Sequence, residues 1–154
     1  MNKNLPQRKD IRLKYYDYSL EGYYFITICT KNKECILSTI KLSRYKTYKS
    51  VLTELGEKVD KYLNTIKAIY LNVIIDEYII MPNHIHMILI INKKENSSIS
   101  KIIQQFKGMV TKDLKYSIWQ KLFYEHIIRN EKEYFMIKQY IINNPYNWEK
   151  DKYY

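Results

Sequence analysis

The chain has 154 residues, enough for one domain with a real hydrophobic core, and its 26 Lys and Arg against 16 Asp and Glu give a formal charge of +10. That balance points to a polyanionic partner, nucleic acid first, although a chain rich in Lys, Ile, Asn and Tyr also reflects AT-rich codons. The most apolar stretch, Val73 to Ile91, is broken by Asp76, Glu77, Pro82, Asn83 and two histidines, which excludes a membrane span; with no apolar leader in MNKNLPQRKD a cytoplasmic protein is expected, and Cys29 and Cys35, too few for a disulfide framework or a four-cysteine zinc site, read as small buried hydrophobes.

Residues 1–19 form a basic, aromatic arm, with Arg8, Lys9, Arg12 and Lys14 ahead of Tyr15, Tyr16 and Tyr18; it reads equally as a DNA-tracking segment or as a solvated one. After the turn at Gly22, Tyr23 to Cys29 is a strand by its aromatic and β-branched residues, and a short second strand is expected around Cys35 to Leu37. Ser50 stands as an N-cap for a helix to about Ile66, with Val51, Leu55, Val59, Leu63 and Ile66 at helical spacing. Asn72 to Met81 and His84 to Ile91 are strands joined by the Pro82-Asn83 turn, both apolar on two faces as central strands are. Ser97-Ser98 caps a helix from about Ile99 to Lys115, and Trp119 to Tyr124 reads as extended. Asn130 with Glu133 resembles a capping box, and the helix it opens should stop near Asn144 because Pro145 disfavours helical geometry before it. The order fits a single two-layer α+β domain around one antiparallel sheet.

Two of the three histidines are His84 and His86. On a strand, residues two apart share a face about 7 Å from one another, so two neutral imidazoles can converge on one divalent ion. Two imidazoles are too few for a closed structural zinc site and leave room for water and a phosphate oxygen, as a catalytic metal needs. A strand histidine is nevertheless more often hydrogen-bonded than metal-bound. On the last helix Tyr134, Ile137 and Ile141 make the apolar stripe, and Tyr140 and Asn144 are i, i+4 neighbours able to look into one cleft. A phenol with a pKa near ~10 is a poor nucleophile unless a metal or a base assists it, and among 17 tyrosines most are packing.

Tyr23-Tyr24-Phe25-Ile26-Thr27-Ile28-Cys29-Thr30 followed by Met81-Pro82-Asn83-His84-Ile85-His86 resembles the single-tyrosine, IS200-like transposases. Trp119-Gln120, Phe123 to Asn130, Tyr140 to Pro145 and Trp148 resemble the REP-associated tyrosine transposase branch in particular, so the likeness runs from about Arg12 to Trp148. The resemblance implies an HUH nuclease with a ferredoxin- or RRM-like core, Ile85 being the bulky residue between the histidines. It further implies Mg²⁺ or Mn²⁺ held by His84, His86 and Asn144, with Tyr140 as nucleophile. In insertion-sequence relatives the third ligand is usually Gln, so Asn144 departs from that pattern. The implied activity is endonuclease and strand transfer on single-stranded DNA beside hairpins, through a 5′-phosphotyrosine intermediate. His126 matches a histidine of the branch and reads either as site support or as a structural hydrogen bond. Asp76 and Glu77 read as structural or solvated.

For DNA contacts the candidates are the arm (Arg8, Lys9, Arg12, Lys14) and Lys101, Lys107, Lys112 and Lys115 on the helix after the hairpin. Partners are single-stranded or hairpin DNA, and relatives leave both a homodimer and a monomer open. The competing reading is a non-catalytic single-strand-binding module. Replication initiators and relaxases use the same chemistry in longer chains, and a two-histidine phosphoesterase would need two H-x-Ser/Thr motifs that this chain lacks.

Overall fold

The computed structural model describes residues 16–94 and 96–154, so Arg8, Lys9, Arg12 and Lys14 lie outside the described residues. Strands β1 (Gly22–Cys29), β4 (Val73–Ile80), β5 (His84–Ile91) and β6 (Tyr124–Ile128) form an antiparallel sheet in the order β4-β5-β1-β6. Helices α1 (Glu54–Ile69) and α2 (Ile99–Leu114) cover one face, and α3 (Glu131–Asn143) lies on the other. The chain is thus α+β with a central antiparallel sheet. Among the described residues no helix is long and apolar enough to cross a membrane.

Alternation along β5 divides the core. Ile85, Met87, Leu89 and Ile91 join Val59, Leu63 and Ile66 of α1 and Ile102, Ile103 and Phe106 of α2 in the large cluster. His84, His86, Ile88 and Ile90 face the other way, where Ile88 and Ile90 pack with Ile128, Ile141, Phe25, Tyr134 and Ile137. All eight residues of β5 are buried, as a strand paired on both edges and covered on both faces must be. β4, expected to be central, is an edge strand.

The region between β1 and α1 differs from the sequence expectation. Cys35 to Leu37 is not a strand, and Cys35 is exposed rather than buried. Instead β2 (Ser38–Leu42) and β3 (Tyr48–Leu52) make a separate two-stranded ribbon. Ser50 belongs to β3, where its hydroxyl donates to the Ile80 carbonyl; Thr53 caps α1, its Oγ1 accepting from Gly56 N at 3.0 Å. Val51 sits at helical spacing from Leu55 by chance of sequence, and strand pairing with Thr39 decides its conformation. Trp119 makes one bridge to Thr30, and the strand itself begins only at Tyr124.

α3 behaves as its signals foretell. Asn130 Oδ1 accepts from Glu133 N at 2.9 Å, and Glu133 Oε2 reaches back to accept from Arg129 N at 2.8 Å, a capping box displaced by one residue. The helix ends at Asn143 with Asn144 as C-cap. A register shift between Ile75 and Glu77 marks a bulge at Asp76. Asp76 there accepts from Tyr134 Oη at 2.7 Å and from Lys138 Nζ at 3.1 Å, which clamps α3 to the edge strand.

Candidate active site

His84 and His86 open β5, directly after a two-residue turn closed by Met81 N donating to His84 O at 2.8 Å. The turn is braced on both sides: Thr30 N and Leu37 N donate to the carbonyls of Asn83 and Pro82. Both imidazoles are almost wholly buried and their centroids lie 4.4 Å apart.

Each ring is held at Nδ1. Asn83 Nδ2 donates to the Tyr153 carbonyl at 2.6 Å and to the Lys33 carbonyl at 3.4 Å, which fixes the amide's orientation. Asn83 Oδ1 therefore faces His84 Nδ1 at 2.8 Å, and the histidine nitrogen must carry the hydrogen. That leaves His84 Nε2 with a free lone pair. His86 Nδ1 shares a hydrogen bond with Thr27 Oγ1 at 2.8 Å, from the paired position on β1, so its Nε2 also points into the common space. Burial holds the His84 pKa down to about 4 and that of His86 well below the ordinary value, His84 itself adding to the second effect. Both rings are neutral at physiological pH, the form a metal binds.

The last helix and the turn after it close the site. Tyr140 Oη stands 3.3 Å from His86 Nε2, with the residue as a whole 39 % exposed, and Phe25 flanks both rings edge-on or tilted. Burial first, then Asp151 and Tyr153, push the Tyr140 pKa up to about 12, so the phenol is protonated at neutral pH. Asn144 is buried, and its Nδ2 donates to Asp151 Oδ2 at 2.8 Å. Asp151 Oδ2 lies 3.9 Å from His84 Nε2. Tyr153 lays its ring 4.7 Å from that of His84.

His84, His86 and Asp151 offer ligand atoms all within 4.8 Å of one another, a group able to hold a metal ion. Two buried atoms, His84 Nε2 and Asn144 Oδ1, lack any hydrogen-bond partner, and both are lone-pair donors beside that carboxylate. Unpaired buried acceptors are costly, and a cation is the group that would satisfy both at once. The residues present fit a divalent ion with mixed nitrogen and oxygen ligands.

The structure thus brings together His84, His86, Tyr140 and Asn144, and adds Asp151, which sequence reasoning missed. The available signal was weak: two imidazoles commonly need a carboxylate, and Glu149 and Asp151 are the acids that follow Tyr140. His126 goes elsewhere; its Nε2 is 2.6 Å from Glu133 Oε1, tying β6 to the first turn of α3. Lys107 is half-buried, its Nζ donating to the carbonyls of Gln120 and Leu122 at 3.0 and 3.3 Å, and burial lowers its pKa to about 8. Lys101, Lys112 and Lys115 are exposed on α2, or just after it, across the sheet from Tyr140.

An uncharacterized protein of Haemophilus influenzae is 38% identical over 99% of this chain and 96% of its own length. The two belong to one family. No protein-family model matches the chain. Among solved structures, a REP-associated tyrosine transposase bound to a REP hairpin superimposes with a TM-score of 0.68 at 22% identity, covering 92% of this chain and 77% of that one. A Deinococcus radiodurans protein named as a candidate transposase superimposes at 0.51 and 18% identity, over 86% and 95% of the respective chains. The resemblance to IS200-like and REP-associated tyrosine transposases read from the sequence is met in the fold.

Proposed function

We propose that the chain is a metal-dependent endonuclease and strand transferase acting on single-stranded DNA at hairpin-flanked sites, through a covalent bond to Tyr140. One observation carries this reading: the hydroxyl of the partly exposed Tyr140, 3.3 Å from His86 Nε2, borders a buried group of metal-ligating atoms with two unsatisfied lone-pair donors. The fold shared with a transposase bound to a REP hairpin supports the choice of substrate.

His84 and His86 would hold Mg²⁺ or Mn²⁺ with an oxygen from Asn144 or Asp151, and the ion would polarise the scissile phosphate. Tyr140 Oη then forms a bond to phosphorus while the bond from phosphorus to the 3′-oxygen of the preceding nucleotide breaks. The phenol proton passes to that departing oxygen, leaving a 5′-phosphotyrosine and a free 3′-hydroxyl. Attack by a 3′-hydroxyl on the phosphotyrosine reverses the exchange and joins strands. Phe25 and His86 fix the Tyr140 ring, and α3 is kept in place by the Asp76 clamp.

Incubating the protein with labelled hairpin oligonucleotides and Mn²⁺ should give a denaturant-resistant protein–DNA adduct. Tyr140→Phe should abolish it while DNA binding persists, and EDTA or the His84→Ala, His86→Ala pair should stop cleavage. An adduct formed by Tyr140→Phe removes Tyr140 from the role. Metal-independent DNA binding with no adduct under any condition identifies a binding module instead.

A further inference from the structure

The β2–β3 ribbon plays no part in the site described above, and its composition has no folding rationale. No acid occurs between Glu34 and Glu54, while Lys41, Arg44, Lys46 and Lys49 are all exposed. None of the four forms an ion pair among the described residues. Leu42, Tyr45 and Tyr48 are exposed as well, Tyr45 at 73 %. A two-stranded ribbon is marginal alone, and here the base is what is anchored: Ser50 to Ile80, Ser38 and Leu37 in the core, Thr53 to the carbonyls of Ile36 and Leu37.

The tip is built as well. Ser43 N donates to Thr47 O at 2.8 Å and Lys46 N to Ser43 O at 3.0 Å; the Ser43 and Thr47 hydroxyls meet at 2.6 Å, and Ser43 Oγ also accepts from Tyr45 N. Lys46 adopts φ 58, a conformation a non-glycine residue takes only when its surroundings hold it there. These bonds present Arg44, Tyr45 and Lys46 together at the end of the ribbon, the Arg44 guanidinium 5.0 Å from the centre of the Tyr45 ring. In the last pair before the tip, Tyr48 meets Tyr146 edge-on, two residues past Asn144. A cleft of about 450 Å³ lined by Tyr48, Lys49, Ser50, Tyr78, Ile142 and Pro145 joins the ribbon to the end of α3.

Exposed, unpaired cations beside an exposed aromatic ring match a DNA strand carrying an unstacked base: phosphates take the cations, and the ring takes the base. We propose that the ribbon tip is a second DNA contact, with Arg44 and Lys46 on phosphates and Tyr45 stacking on an unpaired base, positioned so that the strand leads along the cleft towards α3. This rests on the functional reading above.

The test is fluorescence anisotropy with labelled single-stranded, hairpin and blunt duplex DNA across a salt series. In the Arg44→Ala, Lys46→Ala variant the slope of log affinity against log salt should fall by about 1.4 for single strands. Tyr45→Ala should weaken single-strand or hairpin binding roughly 5- to 150-fold, Tyr45→Trp should restore it, and duplex binding should change little. Wild-type binding with unchanged slope and affinity in both variants, at unchanged circular dichroism, overturns the ribbon contact and leaves the endonuclease reading standing. A loss equal on all three DNAs and not restored by Trp replaces stacking with charge alone and also overturns the proposal. Absence of any DNA binding by the wild-type protein overturns both.

Discussion

Asn83→Ala isolates the arrangement that frees a lone pair on His84. The substitution removes the acceptor 2.8 Å from His84 Nδ1 and the donors to the Tyr153 and Lys33 carbonyls. His84 has no exposed surface, so water cannot easily replace the lost partner. An unsatisfied buried donor costs about 1–3 kcal/mol, which the ring can relieve by moving its hydrogen to Nε2 and donating towards Asp151. That tautomer would close the proposed metal position. Changes of this kind beside a ligand histidine lower metal affinity about 10- to 100-fold, or about 1.4–2.8 kcal/mol. Mn²⁺ titration followed by the electron paramagnetic resonance of the free ion reads the affinity, and ¹⁵N spectra of the metal-free protein read the tautomer. Wild type should show His84 protonated at Nδ1 alone, and the variant a mixture or the Nε2 form. An Asn83→Ala protein that keeps the wild-type tautomer and Mn²⁺ affinity would refute the assignment.

Two glycines make a matched pair for chemical denaturation. A Cβ on Gly56 would stand 1.9 Å from the Leu37 carbonyl oxygen, so Gly56→Ala should destabilise by about 1–3 kcal/mol, whereas Gly108 has open space and Gly108→Ala should stabilise by up to about 1 kcal/mol; equal effects would discredit the packing described for α1. Asp76→Ala removes the clamp from Tyr134 and Lys138 and should cost about 1–3 kcal/mol in urea unfolding, with α3 amides exchanging faster while those of β5 do not. In EDTA, acid should weaken the fold before carboxylates titrate. His84 is held near pH 4 in the folded chain against 6.5 when unfolded, so the unfolded state takes up the proton first, and up to about 3 kcal/mol disappears as pH falls across that interval. A urea midpoint equal at pH 7 and pH 5 would contradict this.

The parts of the site legible in the sequence are those set by local periodicity. His84 and His86 share a face because a strand alternates, and Tyr140 and Asn144 share a cleft because a helix turns. Asp151 reaches the site only because the turn after α3 folds back and Asn83 ties down Tyr153, seventy residues apart in the chain. No local pattern encodes that. The ribbon was hidden for a related reason: Ser50 and Val51 satisfy helix-start rules, and only pairing with β2 and the bond to Ile80 exclude them. Nor does a lysine's spacing on α2 say which side of the sheet the helix covers; the structure puts Lys101 and Lys112 opposite Tyr140 and turns Lys107 inward.

The split of the core across β5 has a dynamic consequence. The histidines ride on a strand paired on both edges, whose odd-numbered residues belong to the large cluster under α1 and α2, so its amides should exchange only by global unfolding. α3 is held by a thinner layer, with Ile141 as its fully buried anchor against Ile88, Ile90 and Ile128, plus the polar clamp at Asp76. It should therefore detach in sub-global openings of lower free energy. The histidine pair and the proposed nucleophile should then have separate lifetimes: Tyr140 can leave and return while His84 and His86 keep their geometry, and a hydrogen-exchange experiment would see the two halves of one site as different cooperative units.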